Sequence, residues 1–276
     1  MKIIGNKNAL HTPEFHKKKL MEKRIRVAII TIIILIVTIV PVLILRHKNF
    51  QITNIEIVGN VVTKNEEIQA IISKNLSGNY LWIIPRTNTL LYPKNKIIKD
   101  LMELEPRLSK IEVNTPSVQS VIFNVSERSP RAMYCNDVSN TSTPADCYFI
   151  DSNGFIFSEA PAFSGGVYMV YTSDPKLDSP LRTNYFEKEK FLLIDNFVTS
   201  LPNIDLYPKI FESKRDEYSL ILSNNAIIRW NIKQDLTTIY SNLDTLIHSE
   251  SFKKDGGFNN ILYLEIIGGK MTFKYK

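Results

Sequence analysis

An isolated acidic residue between two apolar runs is the first place to look for chemistry in this sequence. Asp151 lies in the stretch YFIDSNGFIF, three residues before Gly154. Acid–base catalysis normally needs a second titratable group at a defined spacing, and the sequence offers no such carboxylate. An aspartate at the first position of a type I turn accepts backbone N–H groups, and a glycine with positive φ completes the link between two strands. We expect Asp151 and Gly154 to hold a turn.

A second charged pair, Glu127 and Arg128, ends a predicted strand just before Pro130. Charged residues at such a corner usually form an ordered ion pair or face solvent, and nothing at a defined spacing supports catalysis by them. We therefore expect Glu127 and Arg128 to be structural.

The two cysteines, Cys135 and Cys147, flank the polar segment NDVSNTSTPAD. A disulfide between them would close a short loop and contribute on the order of 3 kcal/mol by restricting the unfolded chain. Two free thiols are the alternative. A zinc site is not expected, because a structural site needs four ligands and the neighbouring residues do not supply them.

The histidines leave little scope for nucleophilic or metal catalysis. Three of the four lie within the first 47 residues, and His248 lies near the end of DLTTIYSNLDTLIHSE. Apolar residues recur there at helical spacing with Asp235 placed as an N-cap, and a cation near a helix C-terminus is common. A Ser-His-Asp or Cys-His site outside the N-terminal region would have to use His248. We expect no catalytic site, no metal site and no cofactor.

The charge distribution argues against a nucleic-acid-binding face. The chain has 276 residues, 44% of them hydrophobic, and a net charge of +6. Residues 1–26 carry this whole excess, with eight lysines and arginines against two glutamates, and the remainder is balanced. Since the excess is confined to a short tail, a basic surface that reads nucleic acid has little support.

The apolar stretch Val27–Leu45, which follows the tail directly, explains why the tail is basic. Its residues carry no charge, and as a helix they span roughly 28 Å, close to the thickness of a bilayer core. A cleaved signal peptide is the alternative, but its apolar region is usually shorter and ends at a small-residue cleavage site. The positive-inside rule places residues 1–26 in the cytoplasm. We expect a retained transmembrane helix over 27–45, a linker over 46–51, and the rest of the chain outside.

The region 52–129 has the predicted order β-α-α-β-β. ITNIEIVGN reads as a strand, and a helix follows with Thr63 and Glu66 as its capping box. A second helix is predicted from about Asn95 to Glu105, ending before Pro106, and its apolar residues, Leu104 among them, are expected to face inward. Two strands come next, joined by a turn at residues 115–117.

This order behind a single span resembles the POTRA domain of the FtsQ/DivIB family of bacterial cell-division proteins. The sequence IVGN ends the first strand as in the family, VSERSPRA fits its V-x-E-R-x-P-x-A, and YFIDSNGFIF fits its aromatic-x-I/V-D-x-x-G-x-V/I-F. The resemblance implies an α+β fold. A POTRA domain would cover 52–129, and a mixed domain with a curved, mostly antiparallel sheet would cover 130–276.

The chain ends in a predicted hairpin that turns at Gly268-Gly269. Its last strand alternates between one face with Met271, Phe273 and Tyr275 and another rich in lysine, which is typical of an exposed sheet edge. In the resembled family, such terminal strands receive a segment of a small FtsB/DivIC-type partner by strand addition. The residues that would bind the partner are then Lys270, Met271, Thr272, Phe273, Lys274 and Tyr275. The stretch Leu264–Ile267 departs from the family pattern, since it has one acid and no arginine.

The resemblance implies a non-enzymatic scaffold in the plasma membrane, concentrated at the division septum. Its partners would be FtsB/DivIC-like and FtsL-like single-span proteins and the lipid bilayer, without a small-molecule substrate or nucleic acid. A membrane-anchored hydrolase or sortase-like transpeptidase is one alternative, but the order of cysteines and histidine opposes it. A POTRA-bearing envelope assembly factor is another, but the 147 residues after position 129 are too few for its lipid-facing barrel.

Overall fold

The computed structural model describes residues 13–136, 146–161 and 167–276, beginning with a long helix. Helix α1 (Pro13–Arg46) continues through Pro41. Its segment Lys17–Arg46 is long and apolar enough to cross a membrane, with a mean hydropathy of 3.3 in its apolar window. Aliphatic side chains are exposed on every side of it, whereas a helix of a soluble domain buries one face. It has the length and composition of a membrane anchor or a signal sequence.

The described chain divides into two compact units that exchange a short segment. The first holds the chain up to Leu104 together with Lys110–Val125, and the second holds Glu105–Ser109 and Ser126–Lys276. The chain therefore passes between the units three times, after Leu104, Ser109 and Val125, rather than at one linker.

After α1, the elements follow the predicted β-α-α-β-β order, with a short hairpin between the helices. They are β1 (Asn54–Val58), α2 (Asn65–Leu76), β2 (Asn79–Tyr80), β3 (Ile84–Pro85), α3 (Lys94–Leu104), β4 (Leu108–Ser117) and β5 (Ser120–Glu127). The three-stranded sheet has the order β1-β5-β4, and β1 is parallel to β5. Fully buried side chains from both helices and from β5 form its core: Ile68, Ile72, Ile97, Leu101, Val121 and Phe123.

Three local predictions for this unit were wrong. The capping box at Thr63 and Glu66 does not begin α2, because Lys64 is the N-cap and no side chain caps it. The turn between β4 and β5 lies at residues 118–119, so β4 extends through the predicted turn at 115–117. Leu104 was expected to face inward, but it is the last residue of α3 and is 47% exposed.

The second unit is built on a nine-stranded mixed sheet. Its strands are β6 (Ala132–Cys135), β7 (Cys147–Ile150), β8 (Ile156–Glu159), β9 (Val170–Ser173), β10 (Pro208–Ser213), β11 (Glu217–Leu222), β12 (Ile227–Asn231), β13 (Ile261–Ile267) and β14 (Lys270–Tyr275). The order is β14-β13-β12-β11-β10-β9-β6-β7-β8. The pairs β6/β9, β9/β10 and β12/β13 are parallel. The α+β class is confirmed, and the sheet is mixed.

Helices α4 (Lys188–Ser200) and α5 (Leu236–His248) contribute to the sheet's core, and the short α6 (Glu250–Lys254) follows α5. Aromatic rings from strands and α4 form one buried cluster, including Tyr171, Phe191, Phe211, Tyr218 and Trp230. Strand β13 contributes the fully buried Leu264 and Ile266 to it, while β14 contributes only the partly buried Met271. The core therefore fixes β13, and β14 depends mainly on its pairing with β13.

Candidate functional site

Strand β14 forms one end of the nine-stranded sheet. In the described part of the chain, β13 is the one strand paired with it, in an antiparallel register that sets Ile267 opposite Lys270 and Leu264 opposite Phe273. Gly268 and Gly269 connect the two strands, with φ of 54° and 83°. Positive φ at both central residues defines the two-residue turn whose twist suits a hairpin. The turn lies where the sequence predicted it.

The register determines which backbone groups of β14 face its open side. A two-residue turn brings the Lys270 N–H onto the Ile267 carbonyl, and antiparallel pairs then alternate between bonded and non-bonded. Thr272 therefore directs its N–H toward β13. Met271 and Phe273 direct their N–H and C=O groups away from it, so this edge offers the donors and acceptors that an added strand needs.

The side chains of β14 divide between its two faces as the sequence predicted. Met271 packs against the core, and the Phe273 ring lies 6.2 Å from Phe252 of α6 and 5.4 Å from Tyr275. The Tyr275 hydroxyl donates to Asp255 at 3.2 Å. Desolvation, followed by the charge of Asp255, raises the pKa of Tyr275. The other face presents side chains that are all exposed: Lys270, Thr272 and Lys274.

The opposite end of the sheet is covered at the start of its last strand. Strand β8 is the last in the order, and the Ile156 N–H donates to the Thr183 carbonyl at 2.8 Å. The backbone N–H of Arg182 donates to the Ile156 carbonyl at 2.8 Å, and Phe155 forms an antiparallel β-bridge with Asn184. Residues 182–184 thus bond to the start of the outer side of β8, at Phe155 and Ile156, whereas no described residue bonds to the outer backbone groups of Met271 and Phe273 in β14.

The Asp151 carboxylate is fully used by structural contacts. One oxygen accepts from the N–H groups of Asn153 at 2.8 Å and Phe155 at 3.0 Å. The other forms an ion pair with Arg128 at 2.5 Å, and Asp151 is 4% exposed. Because both oxygens are bonded and the residue is almost fully buried, this geometry gives Asp151 the role of organising a turn rather than transferring protons.

Arg128 and Gly154 complete this turn. The Arg128 Nε donates to the Pro106 carbonyl at 3.0 Å, and its guanidinium lies 4.3 Å from the centre of the Phe155 ring. Gly154 has φ of +85°, and a Cβ there would lie 2.7 Å from Phe191. Arg128 therefore forms its ion pair with Asp151, 23 positions later in the chain. The sequence did not indicate this pairing.

Cys135 and Cys147 form a disulfide that joins β6 to β7. They are directly opposite in the strand register, so the bond cross-links two neighbouring strands. Most of the segment between them, residues 137–145, lies outside the described residues. The predicted pairing was one of two possibilities, and the structure has the bonded form.

A polar network that the sequence did not reveal joins the exposed Arg131 to the buried Tyr171 and Asp195. The Asp195 carboxylate accepts from the Arg131 Nε at 3.0 Å and from the Tyr171 hydroxyl at 3.1 Å. Burial, with the Asp195 charge second, raises the pKa of Tyr171 strongly. A phenol held neutral in this way is a poor nucleophile. The only sequence signal was an aspartate inside the apolar run FLLIDNF.

Groups that could support other chemistry are dispersed. His248 is mostly exposed, and its Nδ1 lies 3.1 Å from Asp244, one turn earlier in α5. A groove of about 540 Å³ lies between α4 and α5, lined largely by apolar side chains, and its Asp235 is used as the α5 N-cap through Thr238 N–H at 2.8 Å. Within residues 13–136, 146–161 and 167–276, no group of three His, Cys, Asp or Glu residues could hold a metal ion.

Sequence comparison adds no relative to this description. No protein-family model matches the chain, and no curated protein matches it.

Proposed function

We propose that this chain is a non-enzymatic scaffold of the bacterial cell-division machinery, of the FtsQ/DivIB type. In this proposal α1 is a retained single span, the N-terminal tail is cytoplasmic, and the chain beyond residue 51 is extracytoplasmic and concentrated at the septum. Residues 52–129 act as a POTRA domain and 130–276 as the family's β domain. The element order after α1 and the three sequence motifs at Ile57–Asn60, Val125–Ala132 and Tyr148–Phe157 support it.

The observation that carries the proposal is the open edge of β14. At the other end of the sheet residues 182–184 bond to the start of β8, while the outward backbone groups of Met271 and Phe273 in β14 are unpaired within the described part of the chain. Unprotected edges invite pairing with other chains, and proteins usually cover them unless pairing is their use. A partner that adds a strand here would extend the sheet by backbone hydrogen bonds.

The side chains around this edge indicate what the added strand carries. Phe273 and Tyr275 are 37% and 41% exposed on one face, and Lys270 and Lys274 are exposed on the other. Since neighbouring strands bring side chains together on each face, the partner strand should alternate apolar and acidic residues. We assign this partner to the FtsB/DivIC-like protein, which an FtsL-like protein would join in one complex.

The geometry of the polar residues supports a binding role over an enzymatic one. Asp151 is held by a turn and an ion pair, and Asp195 is held by an arginine and a tyrosine. Neither carboxylate is free to act as an acid or base. The proposed scaffold therefore needs no cofactor and no small-molecule substrate.

The proposal is tested by separating the backbone donor at position 273 from its side chain. Phe273→Pro removes an outward N–H, which an edge strand tolerates, whereas Phe273→Ala removes only the ring. Losing this donor should weaken binding of the FtsB/DivIC-like partner roughly tenfold, and the alanine variant should lose less. The measurement is co-purification of the tagged partner with the full chain from solubilised membranes.

The neighbouring position provides the control. Thr272→Pro removes an inward N–H, so it should damage the β13–β14 hairpin itself and lower the melting temperature. Phe273→Pro should leave the melting temperature close to that of Phe273→Ala. Equal partner recovery with wild-type and Phe273→Pro chains would refute strand addition at β14.

A further inference from the structure

The β2–β3 hairpin carries three apolar side chains exposed at its tip. Leu81 is 85% exposed, Trp82 95% and Ile83 46%. Leu81 and Trp82 have φ of 46° and 66°, a region that residues other than glycine seldom adopt. A strained turn thus presents a large aromatic ring and two aliphatic groups outward. Such exposed clusters usually mark an interaction surface.

A direct contact and one hydrogen bond tie this hairpin and the chain that follows it to the end of α1. Strand β3 contacts α1, and the fully buried Asn88 donates its amide to the Leu45 carbonyl at 2.8 Å. The Asn88 side-chain oxygen accepts from the Leu90 N–H at 3.0 Å. The Ile52 N–H donates to Thr87 at 2.8 Å. Asn88 is therefore held to the last turn of α1, and Thr87 is held to Ile52 in the segment that follows the helix.

The partly buried side chains of α1 show where along the helix the hairpin region makes contact. Between Lys17 and Arg46, only Val42 and Leu45 are partly covered, and the other described side chains are exposed. They lie three residues apart, hence on one face. At about 1.5 Å per residue, Val42 lies roughly 6 Å below Arg46 along the axis. The contact is thus at the outer end of the uncharged stretch.

We infer that the hairpin tip, Leu81–Ile83, inserts into the interfacial layer of the bilayer that α1 crosses, together with Leu90 and Leu91. This inference rests on the proposed function for α1 as a retained span. Tryptophan is enriched at that depth because its ring is apolar and its N–H is polar. Leu90 and Leu91 are 68% and 43% exposed beside the Asn88 anchor.

The neighbouring charge fits a lipid surface. The Arg86 guanidinium lies 5.5 Å from the centre of the Tyr80 ring at the base of the hairpin. An arginine stem can cover apolar surface while its charged end reaches lipid phosphates. A second membrane contact beside the span would restrict the orientation of the first unit relative to the bilayer.

Tryptophan quenching by lipid tests this inference. The chain has two tryptophans, and Trp230 is 1% exposed in the core. The full chain is reconstituted into phosphatidylethanolamine–phosphatidylglycerol vesicles in which one acyl chain carries bromine near the headgroup. We expect fractional quenching roughly twofold greater in wild type than in Trp82→Phe, since Trp82 lies at the interface. Equal quenching of the two chains would overturn the inference.

A matched variant moves the exposed indole elsewhere in the same unit. Gln69 is exposed on α2, so Trp82→Phe combined with Gln69→Trp should be quenched no more than Trp82→Phe alone. Quenching equal to wild type would also overturn the inference, because an indole on α2 would then reach the lipid as well as one at position 82. Retention of all variants in the membrane pellet after an alkaline carbonate wash tests the span separately. Loss of the wild-type chain there would reject the span, whereas retention with unquenched Trp82 would reject only the hairpin contact.

Discussion

Asp151 illustrates how neighbours determine the role of a single carboxylate. Its bonds to Asn153 and Phe155 are local and follow from the order Asp-Ser-Asn-Gly, so they could be predicted from the sequence. Its ion pair with Arg128 joins residues 23 positions apart. The Arg131–Asp195 hydrogen bond joins residues 64 positions apart. Such pairs depend on strand order in the folded sheet, which no local pattern in this chain specifies.

Removing the Asp151 carboxylate should be strongly destabilising. Asp151→Ala deletes the acceptor of two backbone N–H groups and leaves the largely buried Arg128 charge without its partner. Breaking a buried pair in this way costs about 3–5 kcal/mol. Thermal unfolding of the purified full chain should show a melting temperature lower by several degrees or more. The control, Asp178→Ala at an exposed aspartate, should change it little, and similar values for both variants would contradict the assigned role.

The buried tyrosines predict a loss of stability at alkaline pH. Burial is the first cause of the raised pKa of both Tyr171 and Tyr185, and the Asp195 charge adds to it at Tyr171. Their folded pKa values lie above the unfolded value near 10, so the stability they contribute is fully present below that pH and lost as pH rises through the folded values.

Absorbance of tyrosinate and near-ultraviolet circular dichroism, recorded together, measure this effect. Part of the tyrosinate signal should appear only in a step that coincides with unfolding above pH 10. Complete ionisation of the twelve tyrosines while the dichroism spectrum stays native would contradict the buried, neutral state.

At the scale of elements, patterns confined to a few residues were predictive and long-range pairing was not. Helix α5 begins at Asp235 as expected, because its side chain accepts from Thr238. The Gly268-Gly269 turn was also identified correctly. The start of α2 and the β4–β5 turn were misplaced, since capping and turn signals tolerate shifts of a residue or more. The parallel pairs β9/β10 and β12/β13 join strands separated by a helix, and their pairing leaves no local signature.

The disulfide should stabilise the pairing of β6 with β7. Cys135→Ser is expected to lower the stability of the second unit by on the order of 3 kcal/mol, since the unfolded chain regains freedom. Melting temperatures measured without reductant should fall similarly for Cys135→Ser and Cys147→Ser. The melting temperature of the double variant should be little lower than that of either single variant, because both single variants remove the same bond. Additive losses would indicate that each side chain, rather than the cross-link, is responsible.

At the scale of the whole molecule, the proposal combines an apolar helix, two compact units and an open sheet edge into one membrane-attached scaffold. The β-α-α-β-β order followed from hydrophobic periodicity, and the α+β class followed from the family resemblance. The edge position of β14 followed from its lysine-rich alternation. The order of the nine strands and the contact of residues 182–184 with β8 could not be predicted from the sequence, because they depend on contacts between distant segments.

The central claim, a role in cell division, is tested most directly by the position of the protein in living cells. A fluorescent protein fused to the cytoplasmic N-terminus leaves β14 free and should show rings at midcell in dividing cells. A variant lacking residues 270–276 should retain its membrane signal but fail to bring the FtsB/DivIC-like partner to the septum. Uniform envelope fluorescence of the wild-type fusion throughout the division cycle would contradict the account.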